Sequence, residues 1–532
     1  MSDGEGIPLS PTSFLRRAGS VFAEGTAILD GDLSFTYREF CDRSLRLAGL
    51  LFEAGIQPGD RVAALCVNSH VALELHNGVP MAGAVLVPVN IRLSVAEMAH
   101  IIKESGARLI IATEELAETA RSLSECTRTR LILAGARTSE YERLLEISQP
   151  RAVALADERS LLAINYTSGS TGRPKGAMYS HRGAYLQSLA MAYHARLGLD
   201  TRYLWTLPMF HCNGWCFTWA VTAAGGTHVC QRRVDPAEIW RKICDCEITH
   251  LSGAPTLLSM IAEAANAMPD CKPEGQIHVQ VGGAPPSPAL LSRLTKLNMK
   301  VTHLYGLTET YGPAVVNAWH PAWSEKPIAE QARLNVRQGI GNVATESVSV
   351  FDSEGCEVPA DGETIGEIVI RGNNVMMGYY QNEEATAAAH VNGWFRTGDL
   401  GVRHADGYIE LRDRAKDIII TGGENVSSVE IERVLVEHPA VLEAAVVGRA
   451  DDHWGEVPIA FVTLRIGMSA SADELIDFVR GRIAHFKAPS EIHFEELPKT
   501  STGKVRKHDL RARLKASLAQ RQRRGLTGAQ GE

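Results

Sequence analysis

The chain has 532 residues, of which 45% are hydrophobic and 22% charged, proportions of a globular protein that exclude collagen-like and wholly disordered classes. Its length exceeds what one small core fills, so several domains are expected. Fifty-four basic against 62 acidic side chains leave a formal charge of −8, which argues against a nucleic-acid binder but leaves room for a local phosphate site.

The first ten residues have no basic stretch followed by an apolar run and do not read as a signal peptide. No apolar run is long enough to span a bilayer. Residues 61–67 read as a buried strand, 71–81 as a helix, 84–89 as a strand, 95–105 as a helix and 108–112 as a strand. This alternation predicts a mostly parallel sheet between helices. Strand-like 162–164 leads into a glycine-rich stretch. The rhythm returns at 248–251, a helix over 255–265 and a strand over 278–281 that runs into Gly282 and Gly283. From about residue 341 short strands at 347–350, 366–370 and 407–411 predict a small β subdomain. A boundary is expected at 413–417. Beyond it come a strand at 418–420, a helix at 429–437, strands near 441–447 and 457–464, a helix at 472–485 and a strand at 491–495, a compact α+β unit. Residues 520–532 lack apolar periodicity and are expected to be a disordered tail. The last four residues match no simple sorting tail.

The ten cysteines, from Cys41 to Cys356, contain no CxxC pair, and Cys244 and Cys246 are one residue apart. No zinc framework is expected. Disulfides are allowed by count but not demanded, and a reducing compartment is the expectation.

The sharpest signal is Tyr166-Thr167-Ser168-Gly169-Ser170-Thr171-Gly172-Arg173-Pro174-Lys175-Gly176. Four Ser/Thr hydroxyls and three glycines surround one lysine. Glycine admits an anion close to the backbone, and N–H groups, hydroxyls and an ammonium then surround phosphate oxygens. It is not a Walker A loop, since GxxxxGK[ST] is absent. A flexible surface turn is the alternative; the preceding strand and the Pro174-Lys175-Gly176 ending weigh against it.

This stretch resembles the signature loop of the adenylate-forming superfamily: acyl-CoA synthetases, peptide-synthetase adenylation domains and beetle luciferases. The resemblance runs from about residue 30 to 510. It continues through Tyr305-Gly306-Leu307-Thr308-Glu309-Thr310, Gly393-Trp394-Phe395-Arg396-Thr397-Gly398-Asp399, Asp413-Arg414-Ala415-Lys416-Asp417 and Ser501-Thr502-Gly503-Lys504. It implies an α/β multi-layer N-terminal domain with a small β subdomain over 1–414, and a mobile α+β C-terminal domain over 415–519. The implied reaction has two steps. A carboxylate and ATP give acyl-AMP and pyrophosphate; CoA then gives acyl-CoA and AMP.

The resemblance also assigns expected roles. Lys504 bridges the carboxylate and the α-phosphate, where the transition state gathers negative charge. Its alternative is a solvated surface lysine. Glu309 contacts Mg²⁺, a hard cation that accepts few protein oxygens; a helix-terminal Glu is its alternative. ATP and AMP are expected to meet Thr167, Ser168, Gly169, Ser170, Thr171, Gly172, Lys175, Gly283, Ala284, Pro285, Tyr305, Gly306 and Thr308. Asp399 can accept two ribose hydroxyls and Arg414 offers a donor fork, although the two could equally form a structural ion pair. Lys416 is the implied hinge. Gly422, Gly423 and Glu424 are implied beside a CoA tunnel. His211, Trp215, Cys216 and Tyr305 are the implied acyl pocket, with His211 near the reacting carbonyl; core-facing helix positions are the alternative for Trp215, Cys216 and Trp219. A Cys–His nucleophile at 211–212 is rejected, because adenylation needs no covalent enzyme intermediate.

The stretch from His211 to Trp219 and the run Thr421 to Ser428 resemble methylmercaptopropionate-CoA ligases and plant acyl-activating enzymes. This implies a short- or medium-chain or aryl acid, and the lack of a long N-terminal extension argues against acetate. Asn342 departs from the family's proline-bearing turn. Three alternatives stay open: a ligase loading a carrier protein, an enzyme performing only thioesterification on supplied acyl-AMP, and a non-catalytic binding subunit. The expected partners are a small carboxylic acid, ATP and CoA, in the cytoplasm, with no nucleic acid and no membrane span; a homodimer is compatible.

Overall fold

The computed structural model describes residues 6–136, 138–167, 174–283, 286, 288–414, 417–421, 424–451, 454–499 and 505–515. The chain forms two compact units, one from residues 1–348 and 370–395, the other from 349–369 and 396–532.

The first unit holds two large sheets. One has six strands in the order Arg130–Ala134, Ala107–Thr113, Arg61–Leu65, Val85–Pro88, Leu161–Tyr166, Gly176–Ser180. The first five are parallel and the last is antiparallel. Helices between the parallel strands begin and end where local chemistry directs. Ser94 and Glu97 form a reciprocal capping box for Val95–Ser105, and Gly106 closes that helix in the left-handed region. The other sheet has nine strands. Its six central members, Thr26–Asp30, Thr227–Val229, Arg202–Leu204, His250–Gly253, Ile277–Val281 and Met299–Leu307, are parallel. Antiparallel strands flank them on both sides. Ligands in such sheets bind beyond the carboxyl ends of parallel strands, where Gly282 and the 305–309 segment lie.

The helix His70–Met81 is buried on every face yet carries His70, Glu74, His76 and Asn77. Buried charge must be paired, and it is. Arg232 grips Asp30 at 2.7 Å through two nitrogens, and Asp30 accepts from His70 Nδ1 at 2.6 Å. Arg43 donates to Glu74 at 2.6 Å and to Glu142 at 2.7 Å, and Tyr141 donates to Glu74 at 2.6 Å.

Helix Pro236–Asp245 packs so that Cys244 meets Cys271 as a disulfide, 27 residues apart. Residue spacing gave no reason for that pair, which is brought together by helix packing. The other eight cysteines are free.

In the second unit, Val441–Asp451 and Gly455–Leu464 form a long antiparallel hairpin, extended by Ile419–Thr421, Glu424–Val426 and the parallel strand Glu491–Phe494. Helices Ser428–Val436 and Ala472–Arg480 cover one face through Ile431, Leu435, Leu475 and Val479. Leu497, Leu510 and Leu514 cover the other with Val447, Ile459 and Phe461. The expected fold class holds: a larger α/β part and a smaller α+β part. The expected boundary at 413–417 lies elsewhere than the division between compact units, which cuts through the strands Ser347–Phe351, Gly366–Arg371 and Trp394–Arg403. Asp413 supplies the physical reason. Its carboxylate accepts from Ser428 N at 2.5 Å and Ser428 Oγ at 2.7 Å, joining the 399–414 hairpin to the helix beyond.

Candidate active site

The glycine-rich loop sits between the antiparallel strands Leu161–Tyr166 and Gly176–Ser180. Thr167 and Lys175 pinch its neck: Thr167 N donates to Lys175 O at 2.9 Å, and Lys175 N to Thr167 Oγ1 at 3.3 Å. Ser168, Gly169, Ser170, Thr171, Gly172 and Arg173 lie outside the described residues, as do Ala284, Pro285, Lys416, Gly422, Gly423 and Lys504.

Lys175 Nζ lies 4.9 Å from the centre of the Tyr379 ring, a cation–π contact. The Tyr379 hydroxyl donates to Glu309 Oε1 at 2.7 Å. Burial, reinforced by the Glu309 carboxylate, pushes the Tyr379 phenol far above its ordinary pKa, so it stays a donor. Three expected site residues, Thr167, Lys175 and Glu309, are thus gathered by a fourth that sequence reading missed. Backbone lacing holds Tyr379 there. Met376 N donates to Glu309 O at 2.8 Å, Met178 N to Gly378 O at 3.0 Å, and Tyr380 N to Gly176 O at 2.7 Å.

Glu309 occupies a short 3₁₀ turn, Thr308–Thr310. Thr310 Oγ1 donates to Gly312 O at 2.8 Å, and Tyr179 donates to Thr308 O at 2.5 Å. Tyr305 and Gly306 end the strand Met299–Leu307. A side chain at 306 would strike Gly312 O at 2.0 Å, so glycine is required by the close backbone approach. Among the described residues no group of three His, Cys, Asp or Glu is arranged to hold a metal. Glu309 Oε2 accepts no hydrogen bond among the described residues. One free carboxylate oxygen beside a phosphate loop fits Mg²⁺, which keeps its waters and phosphates.

His211 begins an unusual turn. Cys212, Asn213, Gly214, Trp215 and Cys216 have φ of 51°, 51°, 60°, 55° and 62°. Trp215 N and Cys216 N bond back to His211 O and Cys212 O, closing a left-handed helical turn. Such backbone costs about 1–2 kcal/mol per non-glycine residue. The turn seats the Trp215 ring between two glycines: a methyl on Gly282 would lie 2.7 Å from it, and one on Gly312 3.0 Å. Cys216 is fully buried, and burial drives its thiol pKa well up. His211 is half-buried and its ring nitrogens lie 3.9 Å from Cys212 Sγ. Phe210, Trp205, Arg92, Arg232 and Arg233 line a small cleft, in which Arg232 is already paired with Asp30. Asn342 is buried and serves as its own turn-former, Oδ1 accepting from Ala344 N at 2.8 Å and Thr345 N at 3.0 Å.

In the second unit Asp399 and Arg414 face each other across antiparallel strands, Nε to Oδ1 3.3 Å. The ion pair contemplated from sequence is formed. Glu424 is exposed and is the register partner of Thr421. Lys499 and Val505 bridge, closing the base of the segment that carries Lys504.

A family model described as AMP-binding enzyme matches residues 15–380, and one described as AMP-binding enzyme C-terminal domain matches 430–504. A peroxisomal acetate/butyrate–CoA ligase of Arabidopsis thaliana is 41% identical over 538 residues, covering 95% of each chain. A 4-hydroxybutyrate–CoA ligase of Metallosphaera sedula is 40% identical over 523 residues, covering 96% of this chain and 95% of the relative. The structure of o-succinylbenzoate coenzyme A synthetase from Bacillus subtilis, in complex with ATP and magnesium ion, superposes with a TM-score of 0.81 at 28% identity, covering 94% of this chain and 99% of that one. No described helix is long and apolar enough to cross a membrane.

Proposed function

The chain belongs to the AMP-binding enzyme family and is an AMP-forming acid–thiol ligase, and from that premise we propose that it activates a short- to medium-chain or monocyclic aryl carboxylate and delivers it to CoA. The observation that carries the reading is the convergence of the pinched phosphate loop, Lys175, Tyr379 and Glu309. In the first step the substrate carboxylate oxygen attacks the α-phosphorus of ATP and pyrophosphate leaves with its electron pair. Lys175 and Lys504 supply positive charge where two anions meet. Mg²⁺, when bound, neutralises phosphate charge; Glu309 is the residue that would hold it, and Tyr379 orients that carboxylate. Asp399 and Arg414 are proposed for the ribose, with their mutual contact as the ligand-free arrangement.

In the second step the CoA thiol attacks the acyl carbon and AMP leaves. Relatives named as CoA ligases at 40–41% identity over nearly the whole chain support CoA over a carrier protein as the acceptor. Gly422, Gly423 and Glu424 are proposed to line the thiol path, and Lys416 to be the hinge on which the C-terminal residues exchange roles. The proposed setting is the cytoplasm; the Cys244–Cys271 disulfide runs against the expectation of a reducing compartment.

We propose that Trp215, a buried ring packed against Gly282 and Gly312, limits substrate size. Each methylene that fits gains about 0.8 kcal/mol, and one that meets the ring costs packing strain. Relatives named for acetate, butyrate and 4-hydroxybutyrate place acetate back in the series to be tested. The experiment is a panel of straight-chain C2 to C16 acids and several aryl acids. AMP, pyrophosphate and acyl-CoA are measured separately, with CoA and with a carrier protein. A maximum at short or medium chain that shifts to longer acids in Trp215→Ala supports the reading. A long-chain maximum, faster acylation of the carrier protein, or no pyrophosphate release from any acid rejects it.

A further inference from the structure

The second unit contains a line of buried polar groups that the reaction scheme above leaves unused. Lys507 Nζ donates to Ser428 Oγ at 2.6 Å. The Ser428 hydroxyl in turn donates to Asp413 Oδ2 at 2.7 Å. Asp413 is 1% exposed and also accepts from the backbone of Ser428 at 2.5 Å and, through Oδ1, of Arg414 at 2.7 Å. Arg414 is the partner of Asp399. Lys507 also pairs with Glu432 at 2.7 Å, with only 14% and 19% of the two side chains exposed. Glu432 accepts from Val446 N at 2.7 Å, which ties it to the central hairpin.

A surface lysine exchanging with water would not satisfy this pattern. Each acceptor has one geometry, and the serine hydroxyl is committed in both directions. Burial pushes the Glu432 carboxyl upward and the Lys507 ammonium opposes that. At the other end, Lys507 lies two residues past Val505, whose bridge to Lys499 closes the base of the 500–504 segment. Arg506 N bonds to Pro498 O at 2.7 Å, and Lys499 pairs with Glu443 at 2.7 Å. Both stems of that segment are therefore fixed by ions, and one stem is wired to the residue beside Arg414.

We infer that Lys507 is a positioning residue for the adenylation half-reaction, holding the stem of the Lys504 segment in register with the Asp399–Arg414 pair through Ser428 and Asp413. This rests on the reading of Lys504 given above. It assigns Lys507 no contact with substrate.

The test uses full-length Lys507→Met, Lys507→Arg, Ser428→Ala and Lys504→Ala. Pyrophosphate release, thioester formation from supplied acyl-AMP and thermal unfolding are measured for each. Lys507→Met should lower kcat for pyrophosphate release about 30-fold, as expected for a lost charge-assisted hydrogen bond. KM for acid and ATP, and thioester formation, should stay within about twofold of wild type. Lys507→Arg should recover most of the lost kcat, which a merely structural loss of packing would not predict. Ser428→Ala keeps both ions and should show the same split at about fivefold, so the inference stays testable if Lys507→Met does not accumulate. Equal losses in both half-reactions, a loss confined to KM, or an arginine variant as defective as methionine would overturn it. Lys504→Ala separates the two failures. If it spares pyrophosphate release, the reading of Lys504 falls and this inference with it. If it behaves as proposed while Lys507→Met and Ser428→Ala adenylate normally, only the relay falls.

Discussion

Tyr379 donates one hydrogen bond to Glu309 and offers its ring face to Lys175, so two opposite charges are spaced by one neutral side chain. Tyr379→Phe keeps the ring and removes the donor. Losing a hydrogen bond to a charged group is worth about 1.5–3 kcal/mol. The expected outcome is a fall of roughly tenfold or more in the rate of acyl-AMP formation, with a raised Mg²⁺ requirement and thioester formation from supplied acyl-AMP unchanged. Unaltered Mg²⁺ dependence would refute the orienting role. Lys175 and Glu309 were legible in the sequence because each sits inside a short motif. Tyr379 was not, since it lies 70 residues from Glu309 and reaches it only through the lacing of 376–380 onto 176–180. Trp215 was singled out from its motif as a pocket candidate, with a core position as the alternative, and the structure buries it to 7% exposure within the core. Its backbone was not legible, because three of the five left-handed positions, Cys212, Trp215 and Cys216, carry side chains that ordinarily avoid that region.

The helix His70–Met81 shows what an element tolerates when its interior is charged. Burial alone lowers the pKa of His70, but hydrogen bonds to Asp30 and Glu142 outweigh that and raise it to about 9. Burial raises the pKa of Glu142, but His70 and Arg43 bring it to about 2. The signs follow. The raised histidine stabilises the fold fully below its ordinary value near 6.5, and that part is lost as pH rises through about 9. The lowered carboxylate stabilises fully above its ordinary value, and that part is lost as pH falls through about 2. Urea unfolding should therefore show stability falling between pH 6.5 and 9 by something on the order of 3 kcal/mol. His70→Gln should flatten that slope while lowering stability at pH 6. A wild-type slope retained in the variant would assign the effect to another group. Helices and strands around this element were legible from alternation and caps; the network was not, because its members come from residues 30 to 232 and only the folded topology brings them together.

At the scale of the whole chain, the contrast in sequence texture near 413–417 and the division between compact units do not coincide, and the Asp413–Ser428 bonds account for the difference. Texture reports where strand-and-turn composition changes; compactness reports which buried groups are joined. Lys416→Pro tests the hinge directly by fixing φ. One half-reaction should persist and the other should fall sharply, read by pyrophosphate release and by thioester formation from supplied acyl-AMP. Two unchanged half-reactions would remove Lys416 from the hinge role. The first unit is discontinuous, and this bears on its birth. Strand Gly176–Ser180 is flanked on one edge by 376–380, which the ribosome makes about 200 residues later. At roughly 5–20 residues per second, that edge waits some 10–40 s for its neighbour. In that interval the strand, paired only with Leu161–Tyr166, presents one open edge to its surroundings, a template for premature pairing.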